Sequence, residues 1–258
     1  MPVTLTFIGT ASCTPPAGNE TACLLVNGHL LVDTGWCAAL SLLRCGHDAT
    51  ELDHVLITHC HHDHYMGLAS VFFYRRMQGA RMPADAPELR VIGPAEDIGR
   101  VVELARAYLQ VDRFSAVQTN PQVVPLQPGE GCSAGELAIT TAPGQHQVQA
   151  LACRLRDTNT GIQIGVSGDT AYKPDLAEFF AGVDVLVYEA STGTTDPAVT
   201  PETGHSGVRQ SAAIARDARV GRLYIVHTNT AQRVEIMAAA REVFPESHWP
   251  EPGMTLVW

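Results

Sequence analysis

The stretch His59-Cys60-His61-His62-Asp63-His64 consists almost entirely of side chains that can bind a metal ion. It closes the apolar run Val55-Leu56-Ile57 and opens into Tyr65-Met66-Gly67-Leu68. The apolar run predicts a strand, and the glycine-containing segment predicts the start of a helix. The pattern H-x-H-x-D-H in that context predicts a metal site rather than a solvated histidine-rich turn.

The spacing within this stretch divides its ligands into two pairs. His59 and His61 lie two residues apart on an expected strand end, so their rings point to the same side and can share one ion. Asp63 and His64 follow at the expected turn into the helix and would face a second ion close to the first.

These residues resemble the metal-binding signature of the metallo-β-lactamase superfamily. The resemblance spans nearly the whole chain, because later motifs come in the order found in that family. It implies an α/β fold, a four-layer αβ/βα sandwich, with the metals at one edge of the two sheets. We expect this fold to form one domain over residues 1–258.

The resemblance also implies the rest of the ligand set. A histidine after a strand, a carboxylate in the segment Ser167-Gly168-Asp169-Thr170 and a last histidine at a strand end match the family's order of motifs. The implied ligands are His59, His61 and His146 for one ion, Asp63, His64 and His227 for the other, and Asp169 between them. Nitrogen and oxygen ligands without a thiolate suit two Zn²⁺ ions, and Mn²⁺ or Fe could occupy the same set.

Asp33, at the end of an expected strand, has two interpretations. It resembles the family's strand-end aspartate, which supports a metal-bound histidine through the second ring nitrogen. Alternatively, it caps the helix expected from Trp36 to Arg44, since aspartate is a good N-cap residue. One carboxylate could do both.

Glu189 and His205 carry most of the information about the reaction. A strand-end glutamate followed by Gly204-His205-Ser206 resembles ribonuclease Z and its phosphodiesterase relatives. The resemblance implies that Asp63, His205 and Glu189 are catalytic, with His205 donating a proton to the leaving alkoxide and Glu189 orienting it. Two divalent ions would supply hydroxide as the nucleophile. The alternative is that Glu189 is a cap or salt-bridge partner and His205 a helix-start residue.

The substrate is expected to be a small or nucleotide-like phosphodiester. Between His146 and Asp169 the chain has room for a hairpin and little more, whereas tRNA-processing members carry a long tRNA-binding arm there. The 27 acidic against 17 basic residues give a net charge of −10, which disfavours large nucleic acids. Alternatives are tRNA 3′-processing, a lactonase or β-lactamase-like hydrolase, and a non-catalytic redox sensor that uses Cys60.

Composition and termini bound the remaining possibilities. No signal peptide and no apolar run of membrane-spanning length is readable, so we expect no membrane partner. Seven cysteines without a C-x-x-C pair fit a reduced, cytoplasmic chain. Cys60 and His62 are expected to point away from the ions. The family resemblance adds the possibility of a homodimer.

Several local patterns predict secondary structure. Asn27-Gly28 predicts a hairpin turn between two strands. Residues Leu68 to Met77 carry apolar side chains at helical spacing, with Arg75 and Arg76 expected at the solvated end of that helix. His54 is expected to be a strand-entry residue rather than a ligand.

Overall fold

The computed structural model describes residues 2–82, 88–196 and 204–258, which form two compact units. The first unit is built from Met1–Gly9, Thr14–Leu126 and Pro252–Trp258, and the second from Thr10–Cys13 and Gln127–Glu251. The grouping of both units into one domain stays a prediction.

The described part of the first unit contains a seven-stranded mixed sheet and four α-helices. Its strands are β1 (Thr4–Gly9), β2 (Cys23–Val26), β3 (Leu30–Val32), β4 (His54–Leu56), β5 (Arg90–Pro94), β6 (Gln122–Leu126) and, because the chain returns to this unit at its end, β14 (Thr255–Val257). Its helices are α1 (Ala38–Arg44), α2 (His62–Tyr65), α3 (Leu68–Met77) and α4 (Ile98–Tyr108). Short 3₁₀ turns occur at Ala49–Glu51, Gly79–Arg81 and Ser115–Val117.

The strand order in this sheet is β14-β1-β2-β3-β4-β5-β6. The pairs from β14 to β3 are antiparallel, and those from β3 to β6 are parallel. The β2–β3 hairpin turns at Asn27 and Gly28, whose φ angles are 52° and 75°, so the predicted turn is confirmed. Parallel strands need crossover connections, and the helices lie in the connections between β3, β4, β5 and β6.

The core of the first unit joins the helices to one face of the sheet. Leu31, Val55 and Val91 of the sheet belong to the same buried cluster as Leu42 of α1 and Phe72 of α3. Apolar burial of this kind is the main stabilising contribution to such a layer. The predicted helix from Leu68 to Met77 is confirmed as α3.

The second unit repeats this plan, and its residues outside 197–203 form a seven-stranded mixed sheet of their own. Its strands are β7 (Gly131–Ala134), β8 (Leu137–Pro143), β9 (Leu151–Asp157), β10 (Gln163–Val166), β11 (Val185–Glu189), β12 (Arg222–Val226) and β13 (Ser247–His248). Its helices are α5 (Leu176–Phe179), α6 (Val208–Asp217) and α7 (Arg233–Val243), and a 3₁₀ turn covers Thr230–Gln232. Within the described residues, neither unit has a helix of the length and apolar character that a bilayer crossing requires.

In the second sheet the order is β13-β12-β11-β10-β9-β8-β7. The strands from β13 to β10 are parallel, and those from β10 to β7 are antiparallel. Parallel neighbours bring their carboxyl ends to one edge, so the segments that follow β11 and β12 start at the same edge of this sheet. Those segments carry predicted functional side chains.

One prediction about the surface is wrong. Arg75 was expected at a solvated helix end, but only 8% of its surface is exposed. Its Nη1 donates hydrogen bonds to the carbonyl oxygens of Ala49 (3.3 Å), Thr50 (3.2 Å) and Leu52. The carbonyl of Ala49 also accepts the N–H of Leu52 at 3.4 Å, and the guanidinium adds donors to all three carbonyls around this 3₁₀ turn. Arg76 is exposed, as expected.

Candidate metal centre and catalytic residues

The first-unit cluster comprises His59, His61, Asp63 and His64, all within a few residues after β4. The ring centroid of His59 lies 5.0 Å from that of His61 and 4.0 Å from that of His64. Nε2 of His64 lies 3.4 Å from Oδ2 of Asp63. The backbone is extended at His61 (φ −82°, ψ 150°) and helical from His62, which is the predicted change from extended chain to helix. The structure therefore gathers these four side chains in one place.

Asp33 supports one of them through hydrogen bonds. Its Oδ2 lies 2.8 Å from Nδ1 of His64 and accepts the Thr58 hydroxyl at 2.8 Å, while its Oδ1 accepts the Thr58 N–H at 2.8 Å. The alternative that Asp33 caps α1 is wrong, because the capping position is Cys37. The backbone N–H groups of Trp36 and Cys37 bind Glu20 instead. No local sequence signal marked Glu20, which lies more than a dozen residues before the helix.

Cys60 and His62 are the other two members of the quoted stretch. Cys60 packs against the core of the first unit. Burial raises the pKa of its thiol to about 12, and the carboxylates of Asp97 and Asp33 act in the same direction. A redox sensor needs an accessible thiol of low pKa, so Cys60 lacks the property that the sensor hypothesis requires. His62 is exposed, and its ring centroid lies 5.7 Å from that of Tyr65.

A further group of nearby polar side chains, His29, Asp53 and His54, surrounds the start of β4, with possible ligand atoms within 4.8 Å of one another. Nη1 of Arg90 lies 3.3 Å from Nε2 of His54. A guanidinium only donates, so Nε2 accepts and Nδ1 carries the proton of the neutral ring. This arrangement and the adjacent positive charge disfavour a cation here. His54 begins β4, so its predicted strand-entry position is confirmed.

The second-unit cluster comprises His146, Asp169, His205 and His227. Oδ2 of Asp169 lies 3.5 Å from Nε2 of His227 and 3.8 Å from Nδ1 of His205. The ring centroid of His205 lies 5.1 Å from that of His146 and 5.9 Å from that of His227. Potential ligand atoms of His146, Asp169 and His205 lie within 4.8 Å of one another, so His205 could also bind a metal.

Glu189 organises this cluster from a fully buried position at the end of β11. Its Oε1 lies 3.0 Å from Nδ1 of His205 and accepts the N–H groups of Thr170 (2.9 Å) and Ser206 (3.3 Å). Its Oε2 accepts the N–H of Ser191 at 2.8 Å. One carboxylate therefore holds the segments that carry Asp169, His205 and Ser191, and these contacts fit the cap or salt-bridge alternative as well as the catalytic interpretation.

Four of the five predicted ligand histidines share one structural feature, which is that Nδ1 contacts a protein group. The four Nδ1 partners are Asp33 Oδ2 for His64 (2.8 Å), the Gly204 carbonyl for His146 (2.6 Å), Ser191 Oγ for His227 (2.6 Å) and Thr58 Oγ1 for His59 (3.2 Å). Such contacts fix the ring of a metal-binding histidine and leave Nε2 to face the ion. The donor chemistry of both clusters therefore fits divalent metal ions.

Three of these contacts involve a residue with an unusual backbone conformation. Asp33 and His227 follow β3 and β12 with φ angles of 57° and 51°, which are uncommon for residues other than glycine. Gly204 has a φ of 59°, and a Cβ added there would lie 2.7 Å from Nδ1 of His146. Only glycine allows its carbonyl to approach that ring so closely. Strained positions of this kind are typical of functional sites.

Known proteins resemble this chain in sequence and in fold. Ribonuclease BN of Escherichia coli O1:K1 / APEC is 26% identical over 294 aligned positions, covering 93% of this chain and 95% of the relative. The solved metallo-β-lactamase fold protein YhfI from Bacillus subtilis has a TM-score of 0.82 and 24% identity, covering 100% of this chain and 99% of that one. A solved diphosphatase from the PhnP family has a TM-score of 0.73 and 19% identity, covering 100% and 98%.

These similarities confirm the predicted metallo-β-lactamase fold and the resemblance on which it was based. That fold implies divalent metal ions. The family description "Beta-lactamase superfamily domain" matches residues 29–228, which is most of the chain and includes every predicted metal ligand. The chain therefore belongs to the Beta-lactamase superfamily, and this membership supports a hydrolytic enzyme.

Proposed function

We propose that this chain is a dinuclear-metal-dependent phosphodiesterase in which His205 is the general acid. The observation that carries the proposal is the 3.0 Å contact between Nδ1 of His205 and Oε1 of Glu189. A carboxylate on Nδ1 orients the ring and leaves Nε2 to carry a proton toward a substrate. The Glu189 carboxylate is itself fixed by three backbone N–H groups, so the pair is held in one geometry.

The metal ligands in this proposal come from both clusters. His59, His61 and His146 would hold one ion, Asp63, His64 and His227 the other, and Asp169 would bind both. Zn²⁺ suits nitrogen and oxygen ligands in this number, with Mn²⁺ or Fe as alternatives. When bound, two such ions supply a nucleophilic water of lowered pKa and neutralise charge on the phosphoryl oxygens.

The side chains of the chain itself account for the other half of the reaction. An alkoxide leaves a phosphodiester slowly unless its oxygen is protonated as the bond breaks. In the proposal His205 Nε2 gives its proton to that oxygen, and the Glu189 carboxylate stabilises the ring orientation throughout. Water would later return a proton to Nε2.

The test compares two substrates that differ in their need for an acid. Bis(p-nitrophenyl) phosphate releases a stabilised phenolate, whereas a dinucleotide releases an alkoxide. We expect His205→Ala to lower kcat/KM on the dinucleotide by ~10²–10⁴-fold and on the aryl diester by less than about tenfold. Metal content should stay at about two ions per chain. His62→Ala, which changes an exposed histidine of the same motif, is the matched control.

Two results would contradict the assignment. Equal losses on both substrates would show that His205 does not protonate the leaving group. Loss of bound metal from His205→Ala would instead make His205 a ligand, which its distance to His146 and Asp169 permits.

A ribonuclease is the second candidate, because Ribonuclease BN is similar over most of its length. We favour a small or nucleotide-like diester for two reasons. The alignment extends over 294 positions, more than the 258 residues of this chain, so the relative has segments that this chain lacks. Between His146 and Asp169 the chain forms β9 and β10 and no long arm. Faster cleavage of a precursor tRNA than of a dinucleotide would reverse this preference.

We also propose that the protein forms a homodimer. A homodimer is supported by the large apolar side chains exposed on three helices of the first unit, among them Leu40, Phe73 and Tyr108. Sedimentation at micromolar concentration would test it. The cytoplasmic location and the absence of a membrane partner stay predictions.

A further inference from the structure

A buried carboxylate outside every predicted motif lies beside the turn that follows β3. Glu20, in the loop between β1 and β2, is only 4% exposed. Its Oε1 accepts the N–H groups of Thr21 and Trp36, both at 2.9 Å. Its Oε2 accepts the N–H of Cys37 at 3.0 Å and the hydroxyl of Ser41 at 3.2 Å. The N–H groups at the start of a helix have no partner within it, so the carboxylate satisfies donors that would otherwise stay unbound.

Glu20 also packs directly on the backbone of the turn. Gly35 has a φ of 54°, and a Cβ added there would lie 2.5 Å from both Cγ and Cδ of Glu20. Glycine is therefore required at this position for conformation and for space. The side chain of Glu20 closes one side of the turn formed by residues 33–37.

The other side of the same turn contacts the segment with the predicted metal ligands. The N–H and hydroxyl of Thr34 donate to the carbonyl of His64 at 2.8 Å and 3.0 Å. The carbonyl of Gly35 accepts the N–H of Gly67 at 2.8 Å. Asp33, at the start of the turn, contacts Nδ1 of His64. The turn thus touches Glu20 on one side and the backbone and ring of His64 on the other.

We infer that Glu20 is a positioning residue for the metal ligand His64, acting through the turn of residues 33–37. Asp33 has a left-handed backbone conformation, which persists only where surrounding contacts hold it. Glu20 supplies such contacts to the three residues that follow Thr34. The inference rests on the proposed function, because it requires His64 to bind a metal.

The test substitutes Glu20→Gln, which keeps the size of the side chain. An amide has one oxygen, so one pair of the four donors now faces an NH₂ group. We expect the affinity for Zn²⁺, measured by titration calorimetry on the metal-free protein, to fall about tenfold, as for other residues that orient metal ligands. The visible absorption of bound Co²⁺, which reports ligand geometry, should shift as well.

The matched control is Asp48→Asn in the same unit. Asp48 also holds a turn, since its Oδ1 accepts the N–H and hydroxyl of Thr50 at 2.9 Å and 2.8 Å at the start of the 3₁₀ turn Ala49–Glu51. We expect Asp48→Asn to keep wild-type Zn²⁺ affinity and the wild-type Co²⁺ spectrum. Ser41→Ala, which removes one donor to Glu20, should change both in the direction of Glu20→Gln but less, and it can replace that variant if Glu20→Gln fails to fold.

The outcomes separate this inference from the proposed function. Glu20→Gln with wild-type Zn²⁺ affinity and an unchanged Co²⁺ spectrum would reduce Glu20 to a helix cap and overturn the inference. A wild-type protein that binds Zn²⁺ no better than His64→Ala would instead contradict the proposed metal site. Wild-type binding that His64→Ala weakens and Glu20→Gln does not would leave the proposed function intact and reject the role of Glu20 alone.

Discussion

Replacing Glu189 by glutamine removes the charge of the carboxylate at the centre of the second-unit cluster. Oε1 of Glu189 contacts three donors, while Oε2 accepts one, the N–H of Ser191. The amide of Glu189→Gln would therefore place its oxygen at Oε1 and its NH₂ group at Oε2. In that orientation the amide oxygen keeps the three contacts of Oε1. The NH₂ group then faces the N–H of Ser191, which is also a donor, so that hydrogen bond is lost.

The loss of stability can be worked out from these four hydrogen bonds. One hydrogen bond to a charged acceptor contributes about 1.5–3 kcal/mol, and the three retained bonds lose the strengthening that the charge provides. We expect the free energy of unfolding to fall by about 3 kcal/mol. At roughly 2–4 °C per kcal/mol, Tm should fall by about 6–12 °C.

Activity should fall in a pattern that differs from that of His205→Ala. Glu189 also accepts the N–H groups of Thr170 and Ser191. Thr170 follows Asp169 in the chain, and Oγ of Ser191 contacts Nδ1 of His227. Glu189→Gln should therefore slow even the aryl diester, which needs no acid, by about tenfold or more, and the dinucleotide by ~10²-fold.

Initial rates on both substrates and thermal unfolding measure these effects. The control is Asp157→Asn, a buried carboxylate of the same unit whose Oδ1 accepts from Asn159 and Thr160. Asparagine keeps that oxygen, so activity should be unchanged. If Glu189→Gln unfolds at the wild-type temperature and turns over both substrates normally, the reasoning from the hydrogen bonds is refuted.

Asp169→Ala should reduce bound metal from about two ions per chain toward one and lower activity by orders of magnitude, while the circular dichroism spectrum stays that of a folded protein. An Asp169→Ala protein that keeps two tightly bound ions would contradict the bridging role. Arg75→Met should lower the free energy of unfolding by about 1–3 kcal/mol, because the carbonyls of Thr50 and Leu52 lose the guanidinium and that of Ala49 keeps only the N–H of Leu52. In the same denaturant titration Arg76→Met should stay within about 0.5 kcal/mol. Burial lowers the pKa of His248, outweighing the opposite effect of Glu246. The unfolded chain therefore takes up the proton first as pH falls, and stability present above about pH 6.5 is lost below it. A His248→Phe protein should lose less Tm between pH 7.5 and 5.5, and an identical loss would contradict this.

The parts of the fold that could be predicted from the sequence are those with local causes. Asn27-Gly28 forms its turn because two adjacent residues adopt positive φ, and α3 forms where apolar residues recur at helical spacing. The change from extended chain to helix at His62 was likewise readable from neighbouring residues. The placement of β14 beside β1 was not, because the two strands lie at opposite ends of the chain.

Arg75 and Glu20 show why the other assignments could not be read from the sequence. Arg75 was expected at the surface and no role was predicted for Glu20, yet both are buried against backbone groups from other elements. Apart from Thr21, their partners lie 16 or more residues away, beyond the reach of helical or strand periodicity. A charged side chain can be buried when backbone donors or acceptors satisfy it, and only the folded chain shows which ones do.

The same limit applies within the candidate site, where sequence motifs predicted the ligand residues but few of the groups that contact their rings. Two interpretations of Asp33 were left open, and Gly204 and Ser191 had no assigned role. Each acts through an atom that sequence does not distinguish, such as a carbonyl oxygen or a hydroxyl near a ring nitrogen. The left-handed conformations of Asp33 and His227 cost free energy of about 1–3 kcal/mol each, and the hydrogen bonds that hold the two residues offset that strain. The hydrogen bonds to Asp33 and His227 also hold the rings of two predicted ligands, His64 and His227, in one orientation, which is what a metal site of the predicted kind requires.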